Sequence, residues 1–263
     1  MNPVARRVLL GTAGLAVLLG AAQLAQWAGH VSPVTFPLPS TVINRAAGLL
    51  ASHSFLASTG QTLAAWAEAM AATVAIAIPV GLLIGSLPWL ESAVRPVIEF
   101  LRPIPSVILV PLVLLIVQDN VRTEVVVIVF AAVWPVLINT VYGLKEVDPV
   151  AKQTLRSFGF GPVAVALRVS LPSTAPFIAT GVRIAASVSF VVAVAVELVG
   201  TGMNGLGTFA ASSQAGGGDI ALMIAVAVWC GLIGLALNAL FVTAERRFFG
   251  WHQALTRATG DTR

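Results

Sequence analysis

The apolar residues of this chain come in long blocks separated by short polar stretches. A soluble amphipathic helix places apolar residues three and four apart with polar residues between them. Here most blocks instead approach the ~20 residues that cross a hydrocarbon core of roughly 30 Å. They predict six spans, at 8–28, 62–87, 104–118, 124–144, 176–199 and 219–243. The third is short and opens with "PIPSVILVP", which predicts a tilted, broken or partly interfacial element. Pro79 and Pro135 fall inside the second and fourth spans. A bundle tolerates this because neighbouring helices satisfy the carbonyls a proline frees. The first block follows Arg6-Arg7 and admits two readings, a signal peptide or an uncleaved first span. Its continuation to Ala28, with further spans beyond, favours the span.

Two connections carry their own signals. In 29–61 the stretch "SPVTFPLPS" marks turns, and Ser40 is a candidate N-cap for a short amphipathic helix through "TVINRAAGLLASH". The second, "GTGMNGLGTFAASSQAGGGD" at 200–219, is compatible with tight turns, a re-entrant excursion or a flexible linker. No internal repeat is visible, which weighs against carriers built from duplicated halves.

Composition agrees with the block pattern. The chain is 57% hydrophobic and 10% charged, where soluble domains carry about a quarter charged residues. The expected class is an all-α integral membrane protein of about six transmembrane helices. A net charge of +4 does not point to nucleic acid, because the cations lie between the blocks. With the N-terminus in the cytoplasm, twelve Lys and Arg fall inside and only Arg45 and Arg122 outside, with Arg183 near the inner end of the fifth span. That bias predicts a multi-pass plasma-membrane protein with both termini cytoplasmic. Cys230 is the single cysteine, so no intramolecular disulfide forms. His30, His53 and His252 lie outside the predicted spans and share no ligand spacing, so no metal site is expected. No G-x-x-x-x-G-K-[ST] sequence occurs, so the chain is expected to bind no cofactor and to be no enzyme by itself.

The stretch "DPVAKQTLRSFGFGPVAVALRVSLP", Asp148 to Pro172, differs from its oily surroundings. Asp148 is a good N-cap and Pro149 suits the first helical position. Gly159 suits the residue past the helix end, where φ turns positive. Val150, Ala151, Thr154, Leu155 and Phe158 share one face of this helix, and Lys152, Gln153, Arg156 and Ser157 the other. Gly161-Pro162 starts a second helix, which Pro172 is expected to close or kink. Such a basic hairpin either lies on the inner leaflet, cations near lipid phosphates, or presents an apolar ridge to a soluble partner.

The hairpin resembles the cytoplasmic loop of permease subunits of binding-protein-dependent ABC importers, whose form is Glu-Ala-Ala, three residues, Gly, nine residues, Ile-x-Leu-Pro. Gly159 takes the glycine position, Val169 follows ten positions on in place of Ile, and Leu171-Pro172 match. The first three positions read Gln153-Thr154-Leu155, so the Glu-Ala-Ala itself is lost. Over most of 60–245, "FLRPIPSVILVPL", "FAAVWPVLINTVYGLKEVDP", "LPSTAPFIATGVRIAASVSFVVAVAVELVG" and "GLG" at 205–207 are similar to the nitrate, sulfonate and taurine branch, which also handles bicarbonate and some vitamin precursors.

This resemblance implies a type I importer permease. Residues 1–60 would form an N-terminal helix plus external segment, 61–245 the core with a coupling loop at 145–175, and 246–263 a cytoplasmic tail. The coupling loop would comprise Asp148, Gln153, Thr154, Leu155, Arg156, Phe158, Gly159, Leu171 and Pro172. Leu155 and Phe158 would be apolar anchors on an ATPase subunit, Arg156 would sit at the rim, and Gly159 would permit the reversal. Implied partners are ABC ATPases that hydrolyse ATP, an extracytoplasmic solute-binding protein and a second permease copy, in a bacterial plasma membrane among lipid. The implied solute is a sulfonate-, nitrate- or taurine-like anion moved by alternating access. The rival reading is an ion-coupled carrier or channel needing no ATPase.

Charges in or beside the spans are candidate functional groups. Arg183 and Glu197 are fourteen residues apart, about 21 Å along one helix, so they cannot pair within the chain. Arg183 is open to snorkelling, to an acidic partner such as Glu146, or to attracting an anion. Glu197 is open to capping the glycine-rich loop or gating an outer mouth. Glu68 is expected at the interface, and Asn139 and Asn238 are expected to hydrogen-bond across helices.

Overall fold

The computed structural model describes residues 3–27, 37–200, 203–215 and 218–260. His30, the turn signals at 32–36 and the tail cation Arg263 lie outside those residues. All regular structure among the described residues is helical: α1 (Pro3–Trp27), α2 (Pro39–Leu49), α3 (His53–Ser86), α4 (Pro88–Leu101), α5 (Val110–Val117), α6 (Asn120–Lys145), α7 (Pro149–Ser157), α8 (Pro162–Val165), α9 (Leu171–Val199), α10 (Leu206–Ala215) and α11 (Ile220–Gly260).

Four stretches are long and apolar enough to cross a membrane: α3, α6, the continuous helix of 162–199 and α11 up to Phe249. A fifth is a bent pair, α4 with 106–117, turning through 85°. α1 contributes a shorter apolar stretch, Leu9–Ala25. The expected count of six thus becomes four straight spans, one broken one and a short first helix. Pro103 and Pro105 explain the break, since each lacks an amide donor and disfavours helix in the residue before it. A 3-10 turn, Ser106–Leu109, then leads into α5. α4 precedes that break as an amphipathic helix with no buried residue, an element the block pattern did not predict.

α6 is the central rod, packed along α3 on one side and α9 on the other. Its Val127, Ile128, Ala132 and Val136 are fully buried. Met70, Ala77 and Ile84 of α3 and Ala185 and Ala186 of α9 pack with Ala132 and Val136, while Ile128 packs with Ala69 and Ala193. Lipid tails are as apolar as these side chains, so close packing and not hydrophobicity holds such helices together. Glycines set the approach distance. A Cβ on Gly181 would lie 2.9 Å from both the Asn139 Cβ and the Pro135 carbonyl oxygen, and one on Gly143 2.7 Å from the Phe177 Cβ. On the other side, a Cβ on Gly81 would lie 2.8 Å from the Thr140 Cβ.

Polar side chains mostly satisfy themselves locally. Thr140 donates to the Val136 carbonyl at 2.7 Å. Asn139 donates to the Pro135 carbonyl at 2.8 Å, within its own helix and not across helices. Long-range ties come from tryptophans. Trp66 Nε1 donates to Ser189 Oγ at 2.9 Å, joining α3 to α9. Trp229 Nε1 donates to the Ala46 carbonyl at 2.8 Å, pinning α2 to α11.

Three capping expectations meet different outcomes. Ser40 does not cap α2: Pro39 takes the first helical position, and the Ser40 amide donates to Gln23 Oε1 of α1 at 3.4 Å. Ser52 caps α3, accepting from the Phe55 amide at 3.3 Å, so α3 starts nine residues before the apolar block and His53 is helical. Pro172 neither closes nor kinks its helix. A π-helical turn, Ala166–Ser170, precedes it, with the Leu171 amide bonded to the Ala166 carbonyl. The wider turn absorbs the donor that Pro172 lacks, and the helix runs on from Pro162 to Val199.

A Gly181→Val substitution should force α6 and α9 apart and cost about 1–3 kcal/mol, read as a lower thermal unfolding midpoint in detergent. Gly60→Ala, whose added Cβ meets open space, should leave that midpoint unchanged or slightly raised.

Candidate functional site

The chain concentrates unusual structure at the two ends of the α6–α9 pair. At one end is the hairpin. Asp148 Oδ1 accepts from the Val150 amide at 2.8 Å, and Pro149 opens α7 behind it. The helix ends in a paired closure: the Gly159 amide bonds the Arg156 carbonyl at 2.9 Å and the Phe160 amide bonds the Leu155 carbonyl at 3.1 Å. This geometry requires the left-handed φ of +81° at Gly159, which a residue without a Cβ adopts freely. Arg168, on the π turn, lays its guanidinium over the Phe160 ring at 4.7 Å, locking the second helix onto the turn. Lys152 reaches back to the Leu144 carbonyl at the end of α6.

The hairpin's outward surface is apolar and open. Phe158 is 77% exposed, and Val150, Val163 and Leu167 are exposed beside it. Leu155 is half-buried, while Gln153, Thr154 and Arg156 face outward. Leu171 is half-buried and Pro172 exposed at the start of α9. Of the two expected apolar residues, Phe158 is therefore the prominent one.

At the other end, the 200–219 stretch is not a flexible linker where described, because α10 packs against α9, α11 and α3. Its first turn is satisfied by side chains from outside it. Glu197, 1% exposed, accepts from the Gly207 amide at 2.8 Å, and Thr62 Oγ1 accepts from the Leu206 amide at 2.8 Å. Thr208 Oγ1 donates back to the carbonyls of Glu197 and Met203, each at 3.0 Å. A carboxylate beneath a helix N-terminus meets both orphan amides and the positive end of the helix dipole. "GLG" at 205–207 acquires a reason. A Cβ on Gly205 would overlap the Glu197 carboxyl group, and one on Gly207 would collide with the Val194 carbonyl oxygen. Of the two roles open to Glu197, the structure shows the cap.

Beside this cap lies Glu124, 3% exposed, its carboxyl in hydrogen-bonding reach of Glu197 and its Oε1 without a partner. It lines a cavity of about 250 Å³ with Gln61, Glu68, Asn120 and Asn204. Glu68 of α3 thus lies on the wall of this cavity. The hydrophobic-block pattern placed Glu124 at the start of a span without marking it. Only its i, i+4 spacing from Asn120 could have shown a polar stripe on α6.

Arg183 pairs with Glu245 of α11 at 3.1 Å, and not with Glu146. Thr180 donates to the same carboxylate at 3.0 Å. Both charged side chains are at least two-thirds covered, so this is a partly buried tie from α9 to α11. It stands well apart from Glu197, and the two charges do not form one site.

The family described as "Binding-protein-dependent transport system inner membrane component" matches residues 77–250. The taurine transport system permease protein of Escherichia coli is 30% identical, over 95% of this chain and 92% of that one. A nitrate import permease protein of Leptolyngbya laminosa is 33% identical over 65% of this chain, and a bicarbonate transport system permease protein of Synechocystis 30% over 70%. The chain spans 60% and 64% of the lengths of those two relatives, respectively. Among solved structures, the inward-facing MetNI methionine ABC transporter superposes with a TM-score of 0.66 at 19% identity, over 74% of this chain and 95% of that one. An amino acid ABC transporter superposes at 0.57 and 20% identity, over 73% of this chain and 93% of that one. These structural likenesses concern the fold.

Replacing Glu197 by Ala should leave the Gly207 amide buried and unbonded, costing about 1–3 kcal/mol. Glu197→Gln retains an acceptor and should recover most of that loss. Thermal unfolding of the two purified variants, side by side, measures the difference.

Proposed function

The chain belongs to the inner membrane components of binding-protein-dependent transport systems, and from this we propose that it is the membrane-spanning permease of an ATP-driven importer. Two copies, two ABC ATPases and an extracytoplasmic solute-binding protein would complete the machine. The observation that carries the reading is the family match, which runs from the second half of α3 into α11 and contains the hairpin with its open apolar ridge. Family membership also supports import over an ion-coupled carrier.

The hairpin is the coupling element. Phe158 is the apolar knob for a groove on the ATPase, with Arg156 at its rim and Asp148, Gln153, Thr154, Gly159, Leu171 and Pro172 holding its shape or bordering the contact. The ATPase holds and hydrolyses ATP, and this chain performs no chemistry of its own. When the ATPases close, they draw the two hairpins together, and the spans alternate between inward and outward openings. The cation bias supports a cytoplasmic hairpin and cytoplasmic termini. α2 and α10 then form the outer surface that meets the binding protein. The core is 61–245; α1 packs against α2, and α2 is tied to α11 through Trp229. The names of the nitrate, bicarbonate and taurine relatives support a small anionic or zwitterionic solute.

Co-expression with its ATPase tests the docking. Phe158→Ala should reduce ATPase co-purification by about tenfold, a loss of roughly 1.4 kcal/mol, while the permease still inserts in the membrane. Gly159→Val, which forces a β-branched residue to φ +81°, should reduce it at least as far. Uptake and association unchanged in both variants would falsify the coupling role.

A further inference from the structure

The cavity beside α10 has a chemistry that the importer reading does not use. Its α3 wall is a single helical stripe, Gln61, Ala64, Ala65 and Glu68, at i, i+3, i+4 and i+7. Its α6 wall is Asn120, Val121 and Glu124, and the α9–α10 connection closes it with Met203 and Asn204. Among the described residues, two carboxyl groups and three carboxamides line about 250 Å³, and no Lys or Arg does. Arg45 of α2 pairs at 3.1 Å with Asp219, the residue before α11, and neither lines the cavity.

Glu124 is the informative group. Its side chain is buried among α3, α6 and α9, yet Oε1 accepts no hydrogen bond from the protein. A buried acceptor left unpaired costs free energy comparable to a lost hydrogen bond. The α10 cap does not need it, because Glu197 and Thr62 already receive the amides there. An acidic wall repels a bare anion and attracts a donor or a positive charge.

We propose that this cavity, lined by Glu68, Glu124, Gln61 and Asn204, is a binding site in the solute pathway for a cationic or amine-bearing group. The proposal rests on the importer reading for the word pathway and narrows its solute. A zwitterion carrying an ammonium beside its acid group fits the wall, and an inorganic oxyanion does not. Glu124 Oε1 accepts from the ammonium, Glu68 supplies a carboxylate across the cavity, and the carboxamides orient the remaining donors. Cap and site adjoin through the Glu124–Glu197 contact, so a ligand that draws Glu124 bears directly on the seat of α10.

Charge-selective thiol labelling of the full-length chain in cell membranes tests the site. Asn204→Cys, in a Cys230→Ala background, places the reporter on the cavity wall, and Ser212→Cys on exposed α10 serves as reference. Each is treated with a trimethylammonium-ethyl and a sulfonato-ethyl methanethiosulfonate. The cationic-to-anionic rate ratio at position 204 should exceed that at 212 by at least about tenfold. Adding Glu68→Gln and Glu124→Gln should each lower it severalfold, while leaving the ratio at 212 unmoved. A ratio at 204 equal to the reference, or one indifferent to both glutamines, overturns the proposal. The labelling needs no ATPase, so failure here leaves the importer reading standing. Loss of ATPase association with a high ratio would do the reverse.

Discussion

The close approach of α6 to α3 and α9 is the contact on which the remaining structure depends. Inside a bilayer there is little hydrophobic gain from pressing one apolar helix on another, so stability must come from dense packing. Gly81, Gly143 and Gly181 allow backbones to meet where a methyl group would intrude on Thr140, Phe177 or Asn139. Everything specialised hangs on that pair of contacts. α6 delivers the hairpin at one end and presents Glu124 at the other, and α9 receives the hairpin and carries Glu197.

Backbone satisfaction is the second constraint, and it shapes the irregular segments. Non-helical backbone survives at membrane depth only where protein groups meet its donors and acceptors. The α9–α10 connection meets this through Glu197, Thr62 and Thr208, and the bare glycines let those groups come close. The π turn before Pro172 solves the same problem differently, by widening one turn so that a residue without a donor does not break the rod. The hairpin lies beyond the ends of the long apolar helices, and its Phe158 is left open.

Much of this architecture was legible in the sequence, for reasons that differ by element. Asp148, Pro149, Gly159 and Gly161-Pro162 are local signals whose meaning depends on their own backbone, and each acts as its chemistry predicts. Apolar blocks locate spans because length and hydrophobicity are properties of a segment alone. What stayed hidden depends on partners distant in sequence. Glu245 lies 62 residues from Arg183, so no spacing rule could prefer it over Glu146. Thr62 and Leu206 meet across 144 residues. α4 was missed because an amphipathic helix lying beside a proline break resembles a charged loop. Ser40 misled because Pro39 already occupied the position that fixes the helix start.

The helix of 162–199 gives the two ends a mechanical relation. At 1.5 Å per residue its 38 residues span about 57 Å. Arg168 clamps its first turns to Phe160 of the hairpin, and Glu197 seats α10 near its last turn. A partner that shifts the hairpin therefore pushes on the same rod that holds the α10 cap, with the Arg183–Glu245 tie to α11 between them. Rigid-body motion of a packed helix is a standard way for one site to bias another. Here the rod's only non-α turn lies beside the hairpin, so bending is easiest there and the remaining length moves as a unit. Glu124 on α6 and Glu197 on this rod belong to different helices, so a tilt of α9 against α6 would shift one acid relative to the other. The contact between these two acids is where motion started at the hairpin would first reach the cavity.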